Sequence, residues 1–186
     1  PGSGKLLSAC MGEDSVLCLL KRKSYSFYRL MKYVYALNKP VLVLQDHFSA
    51  DTFQQLKIPV GYLKENKEKG IWANFLQRHH PGCRIEIIVP REKDEHIAAM
   101  VRNNLAFMER ILKHSEARYE GVNEEKSFEK SLIKVLQDLS PGITLMMRPF
   151  RLFPFYYPYT VRLYRKHARS EVLIIPRDDS LYIPCH

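Results

Sequence analysis

Two stretches of this chain follow one plan, and that repetition limits the fold more than any bulk property does. Residues 132–176 read as a helix end, the apolar run Ile143-Thr144-Leu145-Met146-Met147, a basic and aromatic interval, and the run Glu171-Val172-Leu173-Ile174-Ile175-Pro176. Residues 5–45 read the same way. Ser15 to Leu20 is an apolar run, Lys21-Arg22-Lys23 opens a helical stretch carrying Phe27, Leu30, Met31, Val34 and Leu37, and Pro40-Val41-Leu42-Val43-Leu44 closes it. Spacings of three and four put those five side chains on one helix face. Short apolar runs at both ends of such a helix make a βαβ unit, which demands a parallel sheet and a right-handed crossover.

The chain between the two copies keeps alternating. Gln45 to Leu56 is a polar connector and the expected boundary between a unit of residues 1–50 and one of residues 51–186. Lys57 to Leu63 reads as a strand, and Lys64 to Arg78 as a helix with Ile71, Trp72, Phe75 and Leu76 facing inward. Pro81-Gly82 breaks it before the strand Arg84–Pro90. Asp94 is a candidate N-cap for a helix to about Lys113, striped by Ile97, Met100, Val101, Leu105, Met108, Ile111 and Leu112. Ala117 to Val122 is weakly strand-like. Ser127 opens a helix facing inward through Phe128, Leu132, Val135, Leu136 and Leu139, stopped by Pro141-Gly142. Strands alternating with helices throughout predict an α/β fold: an open parallel sheet with helices on both faces.

At this point the chain resembles the universal stress protein family in its tandem-domain form. The resemblance rests on His167-Ala168-Arg169-Ser170-Glu171-Val172-Leu173-Ile174-Ile175, on Ile58-Pro59-Val60-Gly61, and on Asn66-Lys67-Glu68-Lys69 to Trp72-Ala73. It covers residues 57–176 as one complete domain and 5–45 as the C-terminal half of another. It implies a five-stranded parallel sheet in the order 3-2-1-4-5, plus a partial α/β unit at the N-terminus. It also implies dimers or pseudo-dimers paired through the last strand. Val41, Leu42, Val43 and Leu44, and Val172, Leu173, Ile174 and Ile175, are then two edge strands that pair with each other or with a second chain, since an exposed edge seeks a partner.

The same resemblance says where the chemistry belongs. ATP-binding members carry an acidic residue after the first strand and a glycine-rich loop after the fourth. Here those places hold Gly61 and the interval Arg148 to Tyr164, which has no glycine and three prolines, Pro149, Pro154 and Pro158. Without glycine, backbone N–H groups are not brought close to a phosphate, and proline removes donors altogether. Candidate ligand-binding residues are the strand ends Pro59, Val60, Gly61, Val89 and Met147, with Arg148 and Arg151 able to grip an anion bidentately. No nucleophile lies beside a base, and His79-His80 has no third ligand at metal spacing.

The formal net charge of +9 favours acidic partners. Cys10, Cys18, Cys83 and Cys185 form no C-x-x-C pair, which points to free thiols in a reducing compartment. No apolar run approaches the ~20 residues of a bilayer span, so the expected location is the cytoplasm, as a free chain or the cytosolic part of a larger protein. The expected function is non-enzymatic: a regulatory or binding module that acts through dimer or pseudo-dimer formation, with a degenerate nucleotide site and no cofactor. Expected partners are a second copy through the last strand, another protein or a membrane transporter. The alternatives are a divergent protein for ATP, another nucleotide or an anionic ligand, or a nucleic-acid-binding module using the basic-aromatic stretch 148–169.

Overall fold

In the computed structural model of the chain, the described residues are 17–24, 26–46, 48–114, 118–125, 128–148 and 159–177. They form β1 (Cys18–Lys21), α1 (Phe27–Ala36), β2 (Val41–Leu44), β3 (Gln55–Pro59), α2 (Lys67–His79), β4 (Arg84–Pro90), α3 (Glu95–His114), β5 (Arg118–Glu125), α4 (Phe128–Gln137), β6 (Ile143–Met147), α5 (Tyr159–His167) and β7 (Glu171–Ile175). One sheet of seven strands holds them together in the order β1-β2-β7-β6-β3-β4-β5. Counted from β3, its last five strands stand in the order third-second-first-fourth-fifth, all parallel.

The partial N-terminal unit is not a separate layer. It extends the same sheet, because β2 lies antiparallel against β7, with Val41, Leu42 and Val43 opposite Ile174, Leu173 and Val172. The physical reason is the edge itself. Left bare, β7 would present a row of unpaired backbone groups, and β2 supplies the matching row. Both strands are runs of Val, Leu and Ile buried on both faces, as interior strands require.

Two helix layers cover the sheet. Leu30, Met31 and Val34 of α1, Leu132, Val135 and Leu136 of α4, and Leu163 and Tyr164 of α5 pack on one face with Val41, Val43, Val172 and Ile174. Ala73 and Leu76 of α2 and Val101, Met108 and Leu112 of α3 pack on the other with Leu42, Ile58, Ile87, Leu145 and Leu173. Each such buried aliphatic side chain contributes about 1.5–3 kcal/mol. Asp94 caps α3 as expected, its carboxylate accepting from the His96 and Ile97 amides at 2.9 and 3.0 Å. No helix among the described residues is long and apolar enough to cross a membrane.

Several local expectations are corrected. α1 starts at Phe27, behind a 3-10 turn Arg22–Ser24 and the N-cap Ser26, rather than at Lys21. β3 ends at Pro59 rather than Leu63, because side-chain amides bind the polar groups of residues 61–63 and turn the chain off the sheet. Leu139 is 70% exposed, since α4 stops at Gln137 and no longer aims it inward. On α2, Trp72 and Leu76 face the core but Ile71 and Phe75 are exposed, and the buried face holds Lys67, Glu68, Lys69, Gly70, Ala73 and Gln77. Gly70 explains this: a Cβ there would stand 2.9 Å from Met108 Cγ, so α2 approaches α3 through its smallest residues, not its largest.

Candidate functional site

In an open α/β sheet the ligand position is the crevice at the carboxyl ends of the strands where the order reverses. Here that is the junction of β3 and β6. Pro59, Val60 and Gly61 line its β3 side, and all three are buried. The Val60 amide continues the ladder to Ile88 O at 2.8 Å, and the Gly61 amide donates to Asn66 Oδ1 at 3.2 Å. The amide of Asn104, from α3, donates to the carbonyls of Gly61 and Leu63, both at 2.9 Å. The Asn66 amide also reaches Leu63 O at 2.8 Å.

Beneath this loop lies the Lys69 side chain, almost fully buried, donating to Pro59 O and to Asn66 Oδ1 at 2.8 Å. Burial of the amine pushes its pKa down to about 7. A lysine therefore sits under Gly61, where the resemblance drawn from the sequence leads to an acidic residue. Asn66 and Lys69 enter the sequence reading only as part of the helix that carries the resemblance, and Asn104 does not enter it. The available signals were an Asn directly before a helix and a polar residue within the apolar stripe of α3.

On the β6 side, Met147 and Arg148 are half-buried. The Arg148 amide donates to Ile175 O at 2.6 Å, and its guanidinium turns away to Leu37 O, the end of α1, at 2.9 Å. Arg151, Pro149, Pro154 and Pro158 lie outside the described residues. Val89 lines a cleft of about 500 Å³ at the end of β4, together with Val101, Leu105, Arg91, Glu92 and Arg102. Arg102 pairs with Glu95 at 2.6 Å, both exposed. Among the described residues no group of His, Cys, Asp and Glu could hold a metal ion. His79 and His80 contact the rings of Phe75 and Phe53 at the end of α2.

The bond from Arg148 to Leu37 has a counterpart. Arg22 follows β1 as Arg148 follows β6, and its guanidinium donates to Ala168 O at 2.6 Å and Arg165 O at 3.3 Å, the end of α5. The two acceptors are equivalent, since Leu37 N bonds Tyr33 O and Ala168 N bonds Tyr164 O at the two helix ends. The two arginines are equivalent by register, since Cys18 pairs with Val41 and Thr144 with Val172. Each arginine therefore reaches a helix end on the far side of the β2–β7 pair, and the two contacts are related by an approximate two-fold that passes between Leu42 and Leu173.

No protein-family model matches the chain, and no curated protein matches its sequence. Solved structures do match its fold. A universal stress protein from Archaeoglobus fulgidus superposes with a TM-score of 0.68 at 14% identity, over 96% of this chain and 66% of that one. A putative universal stress protein from Pseudomonas aeruginosa gives 0.61 at 16% identity, over 93% and 67%. A functionally unknown protein from Pseudomonas aeruginosa gives 0.61 at 12%, over 93% and 67%. The chain spans about two thirds of the length of these structures. It has the fold of the universal stress proteins.

Proposed function

We propose that the chain is a non-enzymatic, universal-stress-protein-like regulatory module in tandem form, in which two units, residues 1–50 and 51–186, join into a built-in dimer. The reading includes a crevice that no longer takes a nucleotide in the family's manner and responds instead to a small ligand or a protein partner. One observation carries it: the crevice donors are engaged internally, Gly61 N with Asn66, Arg148 N with Ile175, and the Arg148 guanidinium with Leu37. A phosphate needs several converging N–H groups, and these point into the protein. Calorimetry with Mg-ATP tests this. No saturable heat is expected, whereas tight binding weakened by replacing Gly61 would overturn it.

The pairing of β2 with β7 supports a pseudo-dimer over self-association through the last strand. Sedimentation should then show a monomer. The cleft at the end of β4 favours a second reading, a binding protein for a small anionic molecule with an apolar moiety. The nucleic-acid reading is less favoured, because Arg148 reaches Leu37 and Arg165 lies over the Phe27 and Tyr28 rings.

A further inference from the structure

Glu65 and Arg177 stand on opposite sides of the end of β6. Glu65 lies in the 3-10 turn Lys64–Asn66 that follows β3, and Arg177 is the second residue after β7. Because β3 and β7 flank β6 in the sheet, their ion pair, 3.3 Å from Nη1 to Oε1, crosses the mouth of the switch-point crevice. The two side chains are only 22% and 20% exposed, so water screens the pair poorly.

The carboxylate is an imperfect occupant of that place. One oxygen pairs, while Oε2 is buried with no hydrogen-bond partner among the described residues. Arg177 Nε is likewise buried with no hydrogen-bond partner among those residues, although a guanidinium fork is shaped to grip two oxygens of one anion. The sequence points to Arg148 and Arg151 as anion grips; Arg151 lies outside the described residues and Arg148 is turned to Leu37 O, whereas Arg177 stands at the crevice. The surplus of positive charge on the chain raises the local concentration of anions.

We propose that Arg177 is the anion-receiving group of the crevice, and that the Glu65 carboxylate holds its place until a small oxyanion displaces it. The ligand is a small molecule bearing a phosphate or carboxylate group, taken without the family's glycine loop. This deepens the reading of the chain as a ligand-responsive module and rests on it. Displacement frees Glu65 and the turn that leads into α2, so occupancy is reported at the helix carrying Lys69.

The test is calorimetric titration of the full chain with inorganic phosphate and, separately, with acetate, at constant ionic strength. Glu65→Gln keeps the shape and removes the competing charge, and it should tighten phosphate binding about tenfold. Adding Arg177→Gln should abolish that gain. A gain with phosphate alone assigns a phosphoryl ligand, and a gain with both assigns oxyanions generally. Glu65→Gln without tighter binding, or a gain that survives Arg177→Gln, overturns the proposal. Should Glu65→Gln disturb the circular dichroism spectrum, Glu65→Ala is read by the same criteria. A Mg-ATP arm separates the two ideas, because nucleotide binding indifferent to Arg177→Gln would refute the proposed function and not this site.

Discussion

Replacing Arg22 by alanine removes the tie between the N-terminal unit and the end of α5. The side chain makes one short bond to Ala168 O, two longer ones of 3.3 Å to Arg165 O and Gln45 Oε1, and lies 5.9 Å above the Tyr164 ring. A hydrogen bond to a charged group is worth about 1.5–3 kcal/mol, and a partly exposed cation over a ring about 0.5–1 kcal/mol. The longer bonds add little, and removing the ordered side chain relieves a rotamer-entropy cost of up to about 2 kcal/mol. The net loss for Arg22→Ala is therefore about 2 kcal/mol. With a urea m-value of about 2 kcal/mol/M, the unfolding midpoint should fall by about 1 M at unchanged slope. Arg22→Lys should recover only part, because one ammonium cannot span two carbonyls and a ring. A loss below about 0.5 kcal/mol, the value of an ordinary surface change, would refute the capping argument.

Other perturbations address separate parts of the structure. Arg148→Ala removes the bond to Leu37 O and should cost about 1–2 kcal/mol by the same urea assay. Lys69 is neutral above about pH 7 when folded but stays protonated to about pH 10 when unfolded, so the unfolded chain binds the extra proton in that window and stability rises with pH. The melting temperature should climb from pH 7 to pH 10 in the native chain and stay flatter in Lys69→Met. Burial raises the Asp138 carboxyl pKa, but hydrogen bonds from Lys57 and Ser140 outweigh it and hold the value below the usual range. Its stabilisation is present above the unfolded value and fades as pH falls through the folded one, so the melting-temperature gap between native and Asp138→Asn should close at acid pH. Gly70→Val would press a branched side chain against Met108 and should cost about 1–3 kcal/mol in chemical denaturation.

What could be read from the sequence, and what could not, has a physical pattern. The strands β2 and β7 were legible because Val41–Leu44 and Val172–Ile175 are unbroken runs of residues suited to burial on both faces. That each edge needs a partner follows from the cost of a bare edge, but the choice between the other strand and a second chain does not. On α2 size does not track burial: Trp72 and Leu76 face inward as expected, while Gly70 and Ala73 allow the close approach and leave Ile71 and Phe75 outside. In the sequence Arg22 reads as part of a helix opening and Arg148 as a candidate anion grip. Their partners are the carbonyls of Ala168 and Leu37, and backbone acceptors leave no mark in a sequence. The crevice was half legible: the missing glycines were visible, but Asn66, Lys69 and Asn104 act through contacts that only the folded chain creates.

The claim beneath all of this is that two units meet as an antiparallel pair within one chain. Cross-strand backbone nuclear Overhauser effects from Val41 to Ile174, Leu42 to Leu173 and Val43 to Val172 measure it directly. In a sample mixed from labelled and unlabelled chains, the account predicts these contacts within each chain and none in the isotope-filtered, between-chain spectrum. Their absence, or their appearance between chains, would contradict it.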